Sequence, residues 1–141
     1  MAGTIRFFNE QITFRLKDKR AVSAWIKFSI VKAGLEAGQI NFIFCSDPFL
    51  LKINRKYLDH DYFTDIITFP NNSEDRTSGD IYISIDRVRE NAVAFRSEFI
   101  NELHRVMIHG ILHLLGYNDK HKADQRRMRS MENKILSLRT F

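Results

Sequence analysis

The stretch from Ser97 to Leu115, SEFINELHRVMIHGILHLL, constrains this chain most, because it reads as one long helix that must be buried on one side. Ser97 is a candidate N-cap, Glu98 puts an acid in the first turn, and Gly116 supplies a natural stop. At about 100° per residue, Ile100, Leu103, Met107, Ile111 and Leu114 gather on one side. A stripe of that length needs a sheet or other helices to cover it.

The remaining segments supply that cover. TIRFFNEQITFRL is rich in β-branched and aromatic residues and predicts one or two extended segments. DKRAVSAWIKFSIVKAG predicts a helix, with Val22, Trp25, Ile26, Ile30 and Val31 at helical spacing and Gly34 near its end. INFIFCS (40–46) predicts a strand, and Ser46 or Asp47 caps a following helix, SDPFLLKINRKYL, with Pro48 in its first turn. DIITFP (65–70) and GDIYIS (79–84) predict two more strands around the polar loop NNSEDRTS, and helices fill nearly all the rest. With six glycines, two prolines and no repeat or linker, residues 1–141 are expected to form one domain. The expected class is α/β (α+β), a mixed sheet of about four strands covered by helices.

Composition narrows the setting. No segment approaches the roughly 18 apolar residues of a membrane span, and the first 20 residues hold no signal-like apolar run. The single cysteine, Cys45, sits inside an apolar run and is expected to be buried. A cytoplasmic, reducing setting is the expectation. A net charge of +5 favours polyanionic partners such as RNA, although many basic proteins bind none.

On the helix, His109 and His113 lie away from the apolar stripe, on the side of Glu102, Arg105 and Gly116, whereas His104 falls within the stripe and reads as a core residue. Imidazoles at i and i+4 project together, the spacing with which two histidines ligate one metal ion. The loop after Gly116 turns back with Asn118, Asp119 and His121 as further donors, enough for an open zinc site. Gly110 replaces the glutamate of H-E-x-x-H, which argues against a zinc protease. Its cost to the helix, about 1 kcal/mol relative to alanine, is tolerable where a neighbouring group must approach closely.

HGILHLLGYND resembles the signature H-G-x-L-H-L-x-G-Y-D-H of the YbeY family, bacterial single-domain endoribonucleases of ribosomal RNA maturation. Upstream, NRKYL and TDIITFP resemble that family's N-x-x-Y-R and T-[ND]-V-L-S-F-P, and GDIYIS its G-D-I strand. Asn54, Tyr57, Thr64, Asp65, Phe69 and Pro70 fit, as do Met128 and Glu132 on the last helix. The resemblance implies a metal-dependent, single-strand-specific endoribonuclease. It would process the 3′ end of 16S ribosomal RNA and act in ribosome quality control, with one zinc ion per chain, RNA and the ribosome as partners, and no DNA or membrane.

Two departures touch the implied site. Counted without a gap, the third metal-binding histidine of the family falls on Asp119, with His121 two residues on as the reserve. Leu58 stands where the family has the arginine associated with activity, leaving Arg55 and Arg105 as candidate substrate-binding cations. The expected ligands are therefore His109, His113 and Asp119, with no general base named. Arg126, Arg127, Arg129, Lys134 and Arg139 on the last helix could follow an RNA backbone, with a plain solvated face the commoner fate of such a run, while Met128, Met131, Ile135 and Leu138 face inward. Tyr57, Tyr62, Phe63 and Tyr117 are candidate base-stacking residues, with burial the commoner fate of such side chains. Two rivals stand beside this reading: a ribosome-binding protein with a structural metal, and a metal-dependent hydrolase of another phosphoester.

Overall fold

In the computed structural model, which describes residues 3–141, the strands are β1 (Thr4–Glu10), β2 (Glu36–Cys45), β3 (Ile66–Pro70) and β4 (Arg76–Ser84). The helices are α1 (Lys19–Lys32), α2 (Asp47–Leu58), α3 (Ile85–Ala94), α4 (Phe99–Leu114) and α5 (Lys122–Leu136). Residues 1 and 2 of the domain expected over 1–141 lie outside the described residues. The strands pair in the order β1-β2-β4-β3, with β1, β2 and β4 parallel and β3 antiparallel to β4. The sheet is therefore four-stranded and mixed, as expected.

Alternation along the central strands sets the two layers. Ile40, Phe42, Phe44, Ile81 and Ile83 join one core with α1, α4 and α5, while Cys45, Ile67 and Tyr82 pack with Leu50 and Phe49 of α2 on the opposite face. Cys45 is fully buried, and burial pushes its thiol up to about 12, so it packs as an unreactive hydrophobe. The Ser46 hydroxyl accepts the Phe49 N–H at 3.3 Å, which settles the cap of α2. Val31 differs from expectation at 60% exposed, because it is one residue past the Val22, Ile26, Ile30 line that faces the sheet.

α4 is buried on most of its circumference, not along one stripe, because β3, β4, α3 and α5 all pack on it. It starts at Phe99 with Glu98 at the N-cap, and Ser97 is otherwise engaged. The Ser97 N–H reaches Ala92 O and the Arg96 N–H reaches Val93 O, closing α3 with Arg96 at φ 53, a Schellman arrangement that leaves Ser97 in the preceding turn. Gly110 rests on the sheet: a Cβ there would come within 2.8 Å of Ile81 Cγ2 and 2.9 Å of Ile66 Cδ1. The missing side chain is what lets α4 sit so close to β3 and β4.

Candidate metal centre

The candidate ligands come from α4 and the loop that follows it. Gly116, at φ 100, ends the helix with Tyr117 N–H bonded to Leu112 O and its own N–H to His113 O. The chain then reverses and brings Asp119 over the histidine face. Asp119 Oδ2 lies 3.2 Å from His109 Nε2 and 3.4 Å from His113 Nε2, and the two Nε2 atoms are 3.0 Å apart. A tetrahedral zinc ion with bonds of about 2.0–2.1 Å requires ligand–ligand edges of about 3.3–3.4 Å, so this triangle fits one face of such a site. His121, at the N-cap of α5, is outside this cluster.

The His109 ring is held from behind by the last helix. Glu132 of α5 is 4% exposed, and its Oε2 lies 2.7 Å from His109 Nδ1 while its Oε1 accepts from Arg105 Nη1 at 3.0 Å. Burial opposes ionisation of Glu132, yet the His109 and Arg105 hydrogen bonds outweigh it and hold the carboxyl below its ordinary value. Burial likewise opposes charge on His109, and the bond to Glu132 outweighs it, raising that imidazole above its usual value. With Nδ1–H donating to Glu132, the Nε2 lone pair is left facing the triangle, the arrangement that orients a metal-binding histidine.

Two cavities flank the cluster, both touching Asp65, His109 and Asp119. One, of about 410 Å³, is bordered by Glu102, Arg105 and Glu132; the other, of about 310 Å³, by Asn54, Leu58, His60, Tyr62 and His113. Burial raises the carboxyl groups of Asp65 and Glu102. Arg105 lines the first cavity, bonded to Glu132 and to Asn133 Oδ1 at 2.8 Å. Arg55 lies outside both and pairs with Asp61. Leu58 does face the site, so the side chain standing where the resemblance implies an arginine is an aliphatic wall.

Among the candidate stacking residues, Tyr57, Tyr62 and Phe63 are each more than half exposed, contrary to the burial expected of most, and Tyr117 packs partly against the core. On α5, Met128 and Ile135 are buried with Met131 beside them, as their spacing requires, and Leu138 packs on the same core just past the helix, while Arg126, Arg127, Arg129 and Lys134 are exposed. Arg139 differs: it lies past the helix and donates to Asn101 Oδ1 and His104 Nδ1, committed to the fold. Sequence reading passed over Glu132 and Asp65 as working groups. The signal for Glu132 was a carboxylate four residues after Met128 and three before Ile135, on the buried stripe; Asp65 carried none beyond its place in the resemblance.

The family model described as "Endoribonuclease YbeY" matches residues 5–139. A protein of that name from Cytophaga hutchinsonii is 46% identical over 139 residues, covering 98% of this chain and 97% of its own length. One from Phocaeicola vulgatus is 51% identical over 120 residues, covering 85% and 87%. The solution structure of a Thermotoga maritima protein superposes with a TM-score of 0.63 at 31% identity, over 95% of this chain and 87% of the other. On the length and degree of these matches, the chain belongs to the YbeY endoribonuclease family.

Proposed function

We propose that this chain is a metal-dependent, single-strand-specific endoribonuclease of ribosomal RNA maturation, acting on the 3′ end of 16S ribosomal RNA and in ribosome quality control in the cytoplasm. The observation that carries the reading is the triangle of His109 Nε2, His113 Nε2 and Asp119 Oδ2 beside two open cavities, in a member of this family. Those three residues would hold one zinc ion. A divalent cation so held supplies Lewis acidity toward a phosphoryl oxygen and lowers the pKa of water.

The chain's own groups prepare that chemistry. Glu132 orients His109, and Arg105 places a positive charge in the wall of the larger cavity, where it offsets phosphate charge. Arg55, in the last turn of α2 and paired with Asp61 of the following loop, stands farther out as a second contact for the strand. The exposed rings of Tyr57, Tyr62 and Phe63 offer stacking surfaces that only unpaired bases can use. The exposed arginines of α5 extend the basic surface for RNA and the ribosome.

Leu58 in the cavity wall favours a second reading, a ribosome-bound protein whose metal only ties the loop to α4 and which cuts nothing. Cleavage of a labelled single-stranded RNA by purified protein, before and after chelation and zinc repletion, separates the two. The proposal expects cleavage lost on chelation and restored by zinc; binding without cleavage in every state would leave only the second reading.

A further inference from the structure

The loop joining α2 to β3 carries a pair of side chains that the metal centre does not use. Asn54, 2% exposed, donates through its side chain to Tyr62 O at 2.9 Å and accepts the His60 N–H on its own carbonyl at 3.1 Å. Asp59, at φ 54, turns the chain off the helix, and Arg55 pairs with Asp61. The loop is thereby pinned on both sides of His60. The His60 and Tyr62 rings stack with centroids 5.1 Å apart, and the Tyr62 hydroxyl lies 3.0 Å from His60 Nδ1. Both residues border the 310 Å³ cavity together with His109, His113 and Asp119.

That cavity has carboxylates from Asp65 and Asp119 in its wall, and no lysine or arginine among its described lining residues. A phosphodiester entering it meets acidic groups, and His60 is the one lining imidazole outside the ligand triangle. We propose that His60 and Tyr62 form a nucleotide-contacting pair for the RNA strand at this site. The Tyr62 hydroxyl donates to His60 Nδ1, which fixes the tautomer carrying its proton on Nε2, and that N–H donates to a non-bridging phosphate oxygen. The outer face of the Tyr62 ring, in a residue 56% exposed, stacks on the neighbouring base. This inference rests on the RNA-cleaving reading of the site and names the groups that hold its substrate where Leu58 cannot.

The test is binding of a fluorescein-labelled oligouridine by the metal-free full chain, read by anisotropy, alongside zinc affinity and urea unfolding of each variant. His60→Ala is expected to weaken RNA binding on the order of tenfold, with zinc affinity and unfolding unchanged. His60→Gln, whose amide N–H can stand in for Nε2–H, should stay within about twofold of wild type, and His60→Asn should not. Tyr62→Phe should fall between wild type and Tyr62→Ala, since it keeps the ring and loses the orienting hydroxyl. Cleavage by the wild type with unchanged binding in His60→Ala, or His60→Asn equal to His60→Gln, would overturn this inference alone. A wild-type chain that neither binds nor cuts single-stranded RNA would overturn the reading of the site and this inference with it.

Discussion

His104 gives the sharpest test of the packing that supports α4. It is 4% exposed, with Trp25 and Phe141 against its ring, and Arg139 Nη1 donates to its Nδ1 at 2.8 Å. That bond requires a lone pair on Nδ1, so the ring is neutral with its proton on Nε2, which has no hydrogen-bond partner among the described residues. Burial, then the nearby Arg139 charge, pushes the imidazole down to about 4, with Asp18 opposing weakly. An unfolded histidine titrates near 6.5, so as pH falls the unfolded chain takes up the proton first. The stability associated with neutral His104 is therefore complete above about pH 6.5 and is lost progressively between there and about pH 4. At about 1.4 kcal/mol per pH unit the full loss is about 3 kcal/mol, of which about 2 kcal/mol is gone by about pH 5. Urea unfolding of metal-free wild type and His104→Phe near pH 8 and pH 5 isolates the effect, because every other titrating group cancels in the difference. The variant is expected to lose about 2 kcal/mol less than wild type over that interval. If both proteins lose stability in parallel, His104 is not held neutral by its surroundings.

Glu132→Gln should keep the fold but lower zinc affinity about 10- to 100-fold in calorimetric titration, through loss of the carboxylate that orients His109; unchanged affinity would reduce Glu132 to a packing residue. Gly110→Ala should destabilise the chain by about 1 kcal/mol or more in urea, since overpacking against Ile81 and Ile66 exceeds the helix-propensity gain; a stabilised variant would show that α4 can lift off the sheet at no cost. Neutralising Arg126, Arg127 and Arg129 together should lower the salt dependence of RNA binding by up to about three counterions' worth. An unchanged slope would move the phosphate contacts away from α5, nearer Arg105.

How far the sequence could be read follows from the range of each interaction. The strands 40–46, 65–70 and 79–84, the Ser46 cap and the Gly116 stop depend on neighbours a few residues away, and all reappear in the structure, with β2 and β4 beginning several residues earlier than their apolar runs. The histidine pair was legible for the same reason, and Asp119 became reachable once Gly116 turned the loop. The position of β3 at an edge, antiparallel to β4, was not legible, because pairing order depends on contacts that no local pattern encodes. Glu132, 23 residues from His109, entered only as a match to a family position, and its bond to that histidine appears once α5 docks on α4. Arg139 was misread as a surface cation because its partners, Asn101 and His104, lie on another helix.

Metal stoichiometry across three variants bears most directly on the centre. After repletion and removal of excess ion, elemental analysis of wild type should give one zinc per chain. Asp119→Ala should lose most of it, because the carboxylate 3.2 Å from His109 Nε2 and 3.4 Å from His113 Nε2 closes the triangle. Asp119→His should retain it, and His121→Ala should match wild type. If His121→Ala loses the metal while Asp119→Ala keeps it, or if wild type never exceeds a small fraction of one ion per chain, the centre described here is wrong.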